Sequence, residues 1–277
     1  MRANALALAA TLVAGLCLVP SGDAIDVTAS LLPSAPSITS VTILTDVTSG
    51  VTPSVGGTAT LSVTVVATDL NGPDNLASLT VSLLRPDGST LQSSSLAQPP
   101  DSTGLVTATY MARPVTVPFH ALPGAGYRLQ ARATDDGSLA SSLLDAASLT
   151  SAFTVNTVLG LSAPTSVDLD GAGLAPGAAG SIQTVTIGNG GNVVLDVAYS
   201  TAGLSGPGGA SIPGSAFAVG LDSGLSDGQA LSASRELESD IAVGAASTEP
   251  TYMRLTMPTG LADGSYSGSI TATAVQS

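Results

Sequence analysis

The sequence predicts an all-β protein: two sandwich domains in tandem behind a cleaved export leader. Three observations point there. Past residue 24, apolar residues recur at every second position in short runs, the period of strands with one buried face. Gly, Pro, Asn and Asp break those runs about every ten residues, the spacing of a many-stranded sandwich. Amphipathic helical periodicity is hard to find in the same stretch.

The leader is read from residues 1–24. Arg2 supplies the positive charge, residues 3–19 an apolar run, and Pro20-Ser21-Gly22-Asp23-Ala24 a small polar exit with cleavage expected after Ala24. The run is short for a bilayer span. Leu16 stands before Cys17, where a lipoprotein site needs a small residue. A secreted, extracellular or surface-associated protein with no direct membrane anchor in the mature chain is therefore expected. No apolar tail follows Ala274, so cell attachment is expected to be indirect.

Cleavage removes the sole cysteine, so neither a disulfide nor thiol-based metal or redox chemistry is available. The formal charge is −13, and all seven basic residues are arginine. That sign repels phosphate backbones and anionic lipid heads, which disfavours nucleic acid and membrane surfaces as partners. Acidity is read as solubility outside the cell.

The first domain, residues 37–157, carries predicted strands at 37–44, 58–68, 76–84, 105–111, 127–134 and 149–155, with a weak one at 90–95. Residues 69–75 (DLNGPDN) form a loop that no strand tolerates, and Arg85-Pro86-Asp87-Gly88 a turn. Residues 25–36 precede it as an extended segment, and 158–163 follow as a linker. The second domain, residues 164–277, has predicted strands at 181–187, 193–200, 216–219, 231–243, 252–257 and 265–274. Between the first two of these, Gly188-Asn189-Gly190-Gly191-Asn192 predicts a hairpin. Residues 201–214 read as a Gly/Pro/Ser-rich loop excursion.

Residues 66–72 (VATDLNG) with 127–137 (YRLQARATDDG) resemble the immunoglobulin-like, fibronectin type III-like or PKD-like repeats of secreted microbial surface proteins. The second half is similar to immunoglobulin-like modules of archaeal and bacterial surface-layer-type proteins. Its matching stretches are Pro176-Gly177, residues 186–193 (TIGNGGNV), Met257-Pro258 and residues 263–271 (DGSYSGSIT). The resemblance implies tandem immunoglobulin-like sandwiches and a surface location, and says little about a partner.

Several motifs carry chemistry on paper. Residues 224–228 (GLSDG) satisfy G-x-S-x-G, but a nucleophile elbow needs a strand-to-helix turn and a later histidine. The only histidine, His120, lies upstream in a Pro-bracketed crossover, where it is expected to be solvated or bonded to a carbonyl. Tyr127 is a candidate for a tyrosine corner. In an immunoglobulin-like topology the loops after the second and sixth strands share one end. Asp69, Asn71 and Asp74 would then meet Asp135 and Asp136, an oxygen-only set suited to Ca²⁺. The competing reading is turn geometry alone. Residues 168–171 (DLDG) start like an EF-hand loop, but Ala179 stands where its twelfth, acidic ligand belongs. No Asn-x-Ser/Thr sequon occurs.

The functional expectation is a non-catalytic structural or adhesion protein of the cell surface or matrix, whose loops contact other surface or matrix proteins, or itself. No cofactor beyond Ca²⁺ is expected. One alternative is a carbohydrate-binding accessory module, weakened by the lack of Trp. Another is a subunit of an extracellular filament, in which residues 25–32 (IDVTASLL), alternating as a strand does, complete a neighbour's sheet.

Overall fold

The computed structural model describes residues 32–96, 100–141, 149–169, 173–232 and 234–277, so the leader expected at 1–24 and the segment 25–31 lie outside the described residues. Everything from Pro33 to Ser277 forms one compact unit. It is all-β, with two hydrophobic clusters, each between a pair of antiparallel sheets.

Among the described residues the first sandwich has eight strands: β1 (Ser37–Ile43), β2 (Thr58–Thr68), β3 (Leu76–Leu84), β4 (Thr90–Ser95), β5 (Ser102–Thr103), β6 (Thr107–Pro118), β7 (Gly124–Asp135) and β8 (Phe153–Val155). One sheet is ordered β1-β2-β6-β5 and the other β4-β3-β7-β8. These are the two sheets of an immunoglobulin-like fold. Alternation sets which side chains meet in the middle. β2 buries Leu61, Val63, Val65 and Ala67 and leaves the residues between them half-exposed. Each fully buried Val or Leu contributes about 1.5–3 kcal/mol relative to exposure.

Several predicted strands change length, among them the one expected at 127–134, which extends over Gly124–Asp135. The strand expected at 105–111 continues to Pro118 because a bulge at Met111-Ala112, with φ of 49° at Ala112, re-aims the chain past Pro114. The strand expected at 149–155 shrinks to β8, with Leu149 bridging Gln130 on its own. β8 pairs with β7 on one side. On its other side Val51, in the β1–β2 connection, forms a parallel bridge to Val155. The first sandwich is thereby sealed.

The second sandwich uses β9 (Leu161–Ser162), β10 (Gln183–Asn189), β11 (Leu195–Ser205), β12 (Ser211–Ile212), β13 (Phe217–Gly220), β14 (Gln229–Ala230), β15 (Arg235–Ile241), β16 (Thr248–Leu255) and β17 (Ser267–Gln276). One sheet is ordered β14-β13-β16-β10-β9. In the other, β11 pairs with β15 and β12 along one edge and with β17 along the other. Three sequence expectations fail here. β10 and β11 belong to different sheets, so residues 188–192 are a crossover and not a hairpin. β11 runs on to Ser205, taking up the start of the expected excursion, and β12 folds back on it. The segment read as a linker contains β9.

That crossover also joins the two sandwiches. Asn192 is fully buried, and both ends of its side-chain amide are hydrogen-bonded. Its side-chain amide donates to the carbonyls of Ala121 (3.0 Å) and Asn156 (2.8 Å), and its Oδ1 accepts the Val158 N–H at 2.7 Å. Its own N–H donates to the Val158 carbonyl. Gly191 is required beside it, since a Cβ there would stand 2.2 Å from the Val158 carbonyl oxygen.

Candidate functional site: an open sheet edge and a buried carboxylate pair

Both sandwiches mark the same strand in the same way. Tyr127, near the start of β7, donates its hydroxyl to the carbonyl of Leu122 at 2.7 Å. Tyr266, immediately before β17, donates to the carbonyl of Ala262 at 2.8 Å. A tyrosine reaching back a few residues at this corner is the hallmark of the sixth strand of an immunoglobulin-like sandwich. The expectation for Tyr127 therefore holds, and Tyr266, which the sequence reading passed over, has the same role. Strand order agrees: β9-β10-β16-β13 matches β1-β2-β6-β5, and β15-β11-β17 matches β4-β3-β7.

In the first sandwich β8 follows as the closing strand. Among the described residues nothing pairs with the corresponding edge of β17. The inward row of β7 (Tyr127, Leu129, Ala131, Ala133) is at most 2% exposed, whereas Ile270, Ala272 and Ala274 of β17 are only half-buried. Beneath them lies a cavity of about 510 Å³. Val185, Ile187, Tyr199, Phe217, Met253 and Ile270 line it, and residues 163–169 border it. At its floor the Tyr199 hydroxyl shares a 2.7 Å hydrogen bond with Thr251. Burial pushes that hydroxyl's pKa upward, and the bond to Thr251 opposes the shift. Apolar side chains and polar groups share the cavity's surface about equally, and free main-chain groups of an edge strand flank it. That free edge suits an extended peptide.

The acidic loops of the first sandwich do come together at one end: the Asp136 N–H donates to the Asn75 carbonyl at 2.9 Å, and Leu76 pairs with Asp135. Their side chains part company. Asp69 and Asp135 are each 1% exposed, Asp74 and Asp136 are exposed, and the Asn71 Oδ1 accepts the Ser34 N–H at 2.7 Å. Among the described residues no three His, Cys, Asp or Glu side chains converge as a metal-holding group.

Ser226 and His120 sit in different sandwiches. The Ser226 hydroxyl donates to Asp222 at 2.6 Å in an exposed turn, and this bond is the main cause lowering the Asp222 pKa. The His120 ring packs edge-on against Phe119, and its Nδ1 is buried without a hydrogen-bond partner, so that atom meets neither the solvent nor the carbonyl expected for it. Among the described residues no helix is long and apolar enough to cross a membrane.

Fold and site together define a protein of immunoglobulin-like β-sandwiches in which the unpaired edge of β17 borders a cavity. No protein-family model matches the chain, and no curated protein matches it. Solved structures do. The chaperone–tip adhesion subunit pre-assembly complex CsuC–CsuE of archaic chaperone-usher Csu pili of Acinetobacter baumannii is similar at 9% identity and a TM-score of 0.33. That match covers 81% of this chain and 96% of that one. A chaperone–tip adhesin complex of CFA/I fimbriae biogenesis is similar at 12% identity and a TM-score of 0.33, covering 89% and 78%.

Proposed function

We propose that this chain is a non-catalytic exported protein of the cell surface or matrix that works by binding other proteins. Its second sandwich accepts an extended strand of a partner in the cavity beside β17. The observation that carries this reading is the unpaired edge of β17 above apolar side chains, in a molecule whose other sandwich closes the same edge with β8. Sheet edges are usually blunted by charge, proline or bulges. β17 reads SGSITATAVQ, without a charge or a proline along its length. An incoming strand would gain main-chain hydrogen bonds along β17 and bury alternate side chains in the cavity.

One observation favours a second, narrower reading, in which the partner is another copy of this chain. Residues 25–32 alternate Ile25, Val27, Ala29 and Leu31 with Asp26, Thr28 and Ser30, the pattern such a cavity selects. Head-to-tail docking of this kind builds a filament where its rotation does not close into a ring. Sedimentation of the intact chain and of a chain lacking residues 25–32 separates the readings. The filament reading expects concentration-dependent assembly of the intact chain alone, abolished by Ile270→Asp. If the intact chain stays monomeric and a synthetic peptide of residues 25–32 fails to bind, the filament reading is overturned. If β17 amides exchange as slowly as those of β7 in the monomer, the strand-accepting reading falls with it.

A further inference from the structure

A different region, independent of the cavity, carries a second proposal. β2 sends Leu61, Val63, Val65 and Ala67 into the core of the first sandwich, and the next member of that row is Asp69. β7 sends in Leu129, Ala131 and Ala133, and the next member is Asp135. Two core rows thus end in carboxylates at the same end of the domain, where the hydrogen bond from Asp136 to Asn75 ties the loops together. In this topology β2 and β7 are the strands that face each other across the core, the pair a disulfide joins in antibody domains.

The two carboxylates are treated alike. In each, Oδ1 accepts a backbone N–H, from Asn71 at 2.8 Å for Asp69 and from Leu139 at 2.6 Å for Asp135. In each, Oδ2 is shut off from solvent and has no hydrogen-bond partner. Turn geometry explains the first oxygen of each residue and leaves the second unexplained. Among the described residues neither carboxylate forms an ion pair with an arginine. A buried carboxylate oxygen left without a partner is costly, and this domain carries two of them at one end.

We propose that Asp69 and Asp135 are the carboxylate pair of a Ca²⁺ site that caps the core of the first sandwich. Two carboxylates balance the charge of one divalent cation. Calcium accepts six to eight oxygen ligands in a flexible arrangement, so loop carbonyls and waters complete the shell. Magnesium demands near-octahedral geometry and dehydrates reluctantly, which suits a loop-built site less well. The exposed Asp74 and Asp136 contribute only to the surrounding field.

The test is calcium titration of the purified chain by isothermal calorimetry after chelator treatment, with melting followed in parallel. Saturable binding of one Ca²⁺ is expected, with upward movement of one melting transition. Asp69→Asn and Asp135→Asn each keep the Oδ1 acceptor that shapes the turn, and each should weaken binding by at least about tenfold. Asp74→Asn and Asp136→Asn should change it by less than about threefold. Absence of heat and of any melting shift in the unaltered chain overturns the proposal. So does retention of full affinity in Asp69→Asn or Asp135→Asn, or loss of affinity confined to the exposed pair. Equal response to magnesium would overturn the assignment to calcium.

Discussion

The two sandwiches share a strand plan and differ in how that plan ends. In the first, β7 is flanked by β3 and β8, and Phe153 and Val155 of β8 finish the core. In the second, β17 is flanked among the described residues by β11 alone, and its inward residues stay half-wet. Corresponding strands can therefore be structural in one domain and a contact surface in the other. What separates them is one neighbouring strand and not the residues of the strand itself: both inward rows include small alanines.

The sharpest way to break the contrast is to unmake the seal of the first sandwich. Phe153 is 4% exposed and packs against Tyr127, with ring centroids 6.1 Å apart. Phe153→Ala should cost about 3–5 kcal/mol, whereas Ile270→Ala on the half-buried β17 should cost roughly 1 kcal/mol. Denaturant unfolding of both variants measures the gap, and equal costs would show that β17 is as fully packed as β7.

A smaller effect is expected at the joint. Asn192→Ala removes three side-chain hydrogen bonds and leaves the buried Val158 N–H and two carbonyls without those partners, a cost of about 1–3 kcal/mol. Faster amide exchange at Val158, with the interior of each sandwich unchanged, would show that the joint alone has loosened. The smallest effect concerns the paired tyrosines. Tyr127→Phe should destabilise by about 1 kcal/mol, and Tyr266→Phe by less, because its bond to Ala262 is exposed. A larger loss at Tyr266 than at Tyr127 would reverse the ranking of the two corners.

Much of the strand plan was legible from alternation. β2 and β3 fall on their expected bounds because each has one fully buried face, which leaves a period-2 trace. The crossover at residues 188–192 was misread because glycine and asparagine serve a tight hairpin and a close domain contact equally well. Local sequence does not distinguish them. The open edge left a faint trace: the sequence predicts six strands in the second half and seven in the first. The cavity left none, since its lining comes from residues as far apart as Val185 and Ile270. Of the five residues expected around a cation, their types and loops could be read from the chain. Only burial separates Asp69 and Asp135 from Asp74 and Asp136.

By itself the sequence determined an all-β chain with alternating faces and turn chemistry at regular intervals, because those are properties of neighbouring residues. Tertiary structure decided which edge stays unpaired, which carboxylates lose their water, and that Asn192 locks two domains together. Each of those depends on what lies across a gap from a residue, and no local pattern along the chain records that.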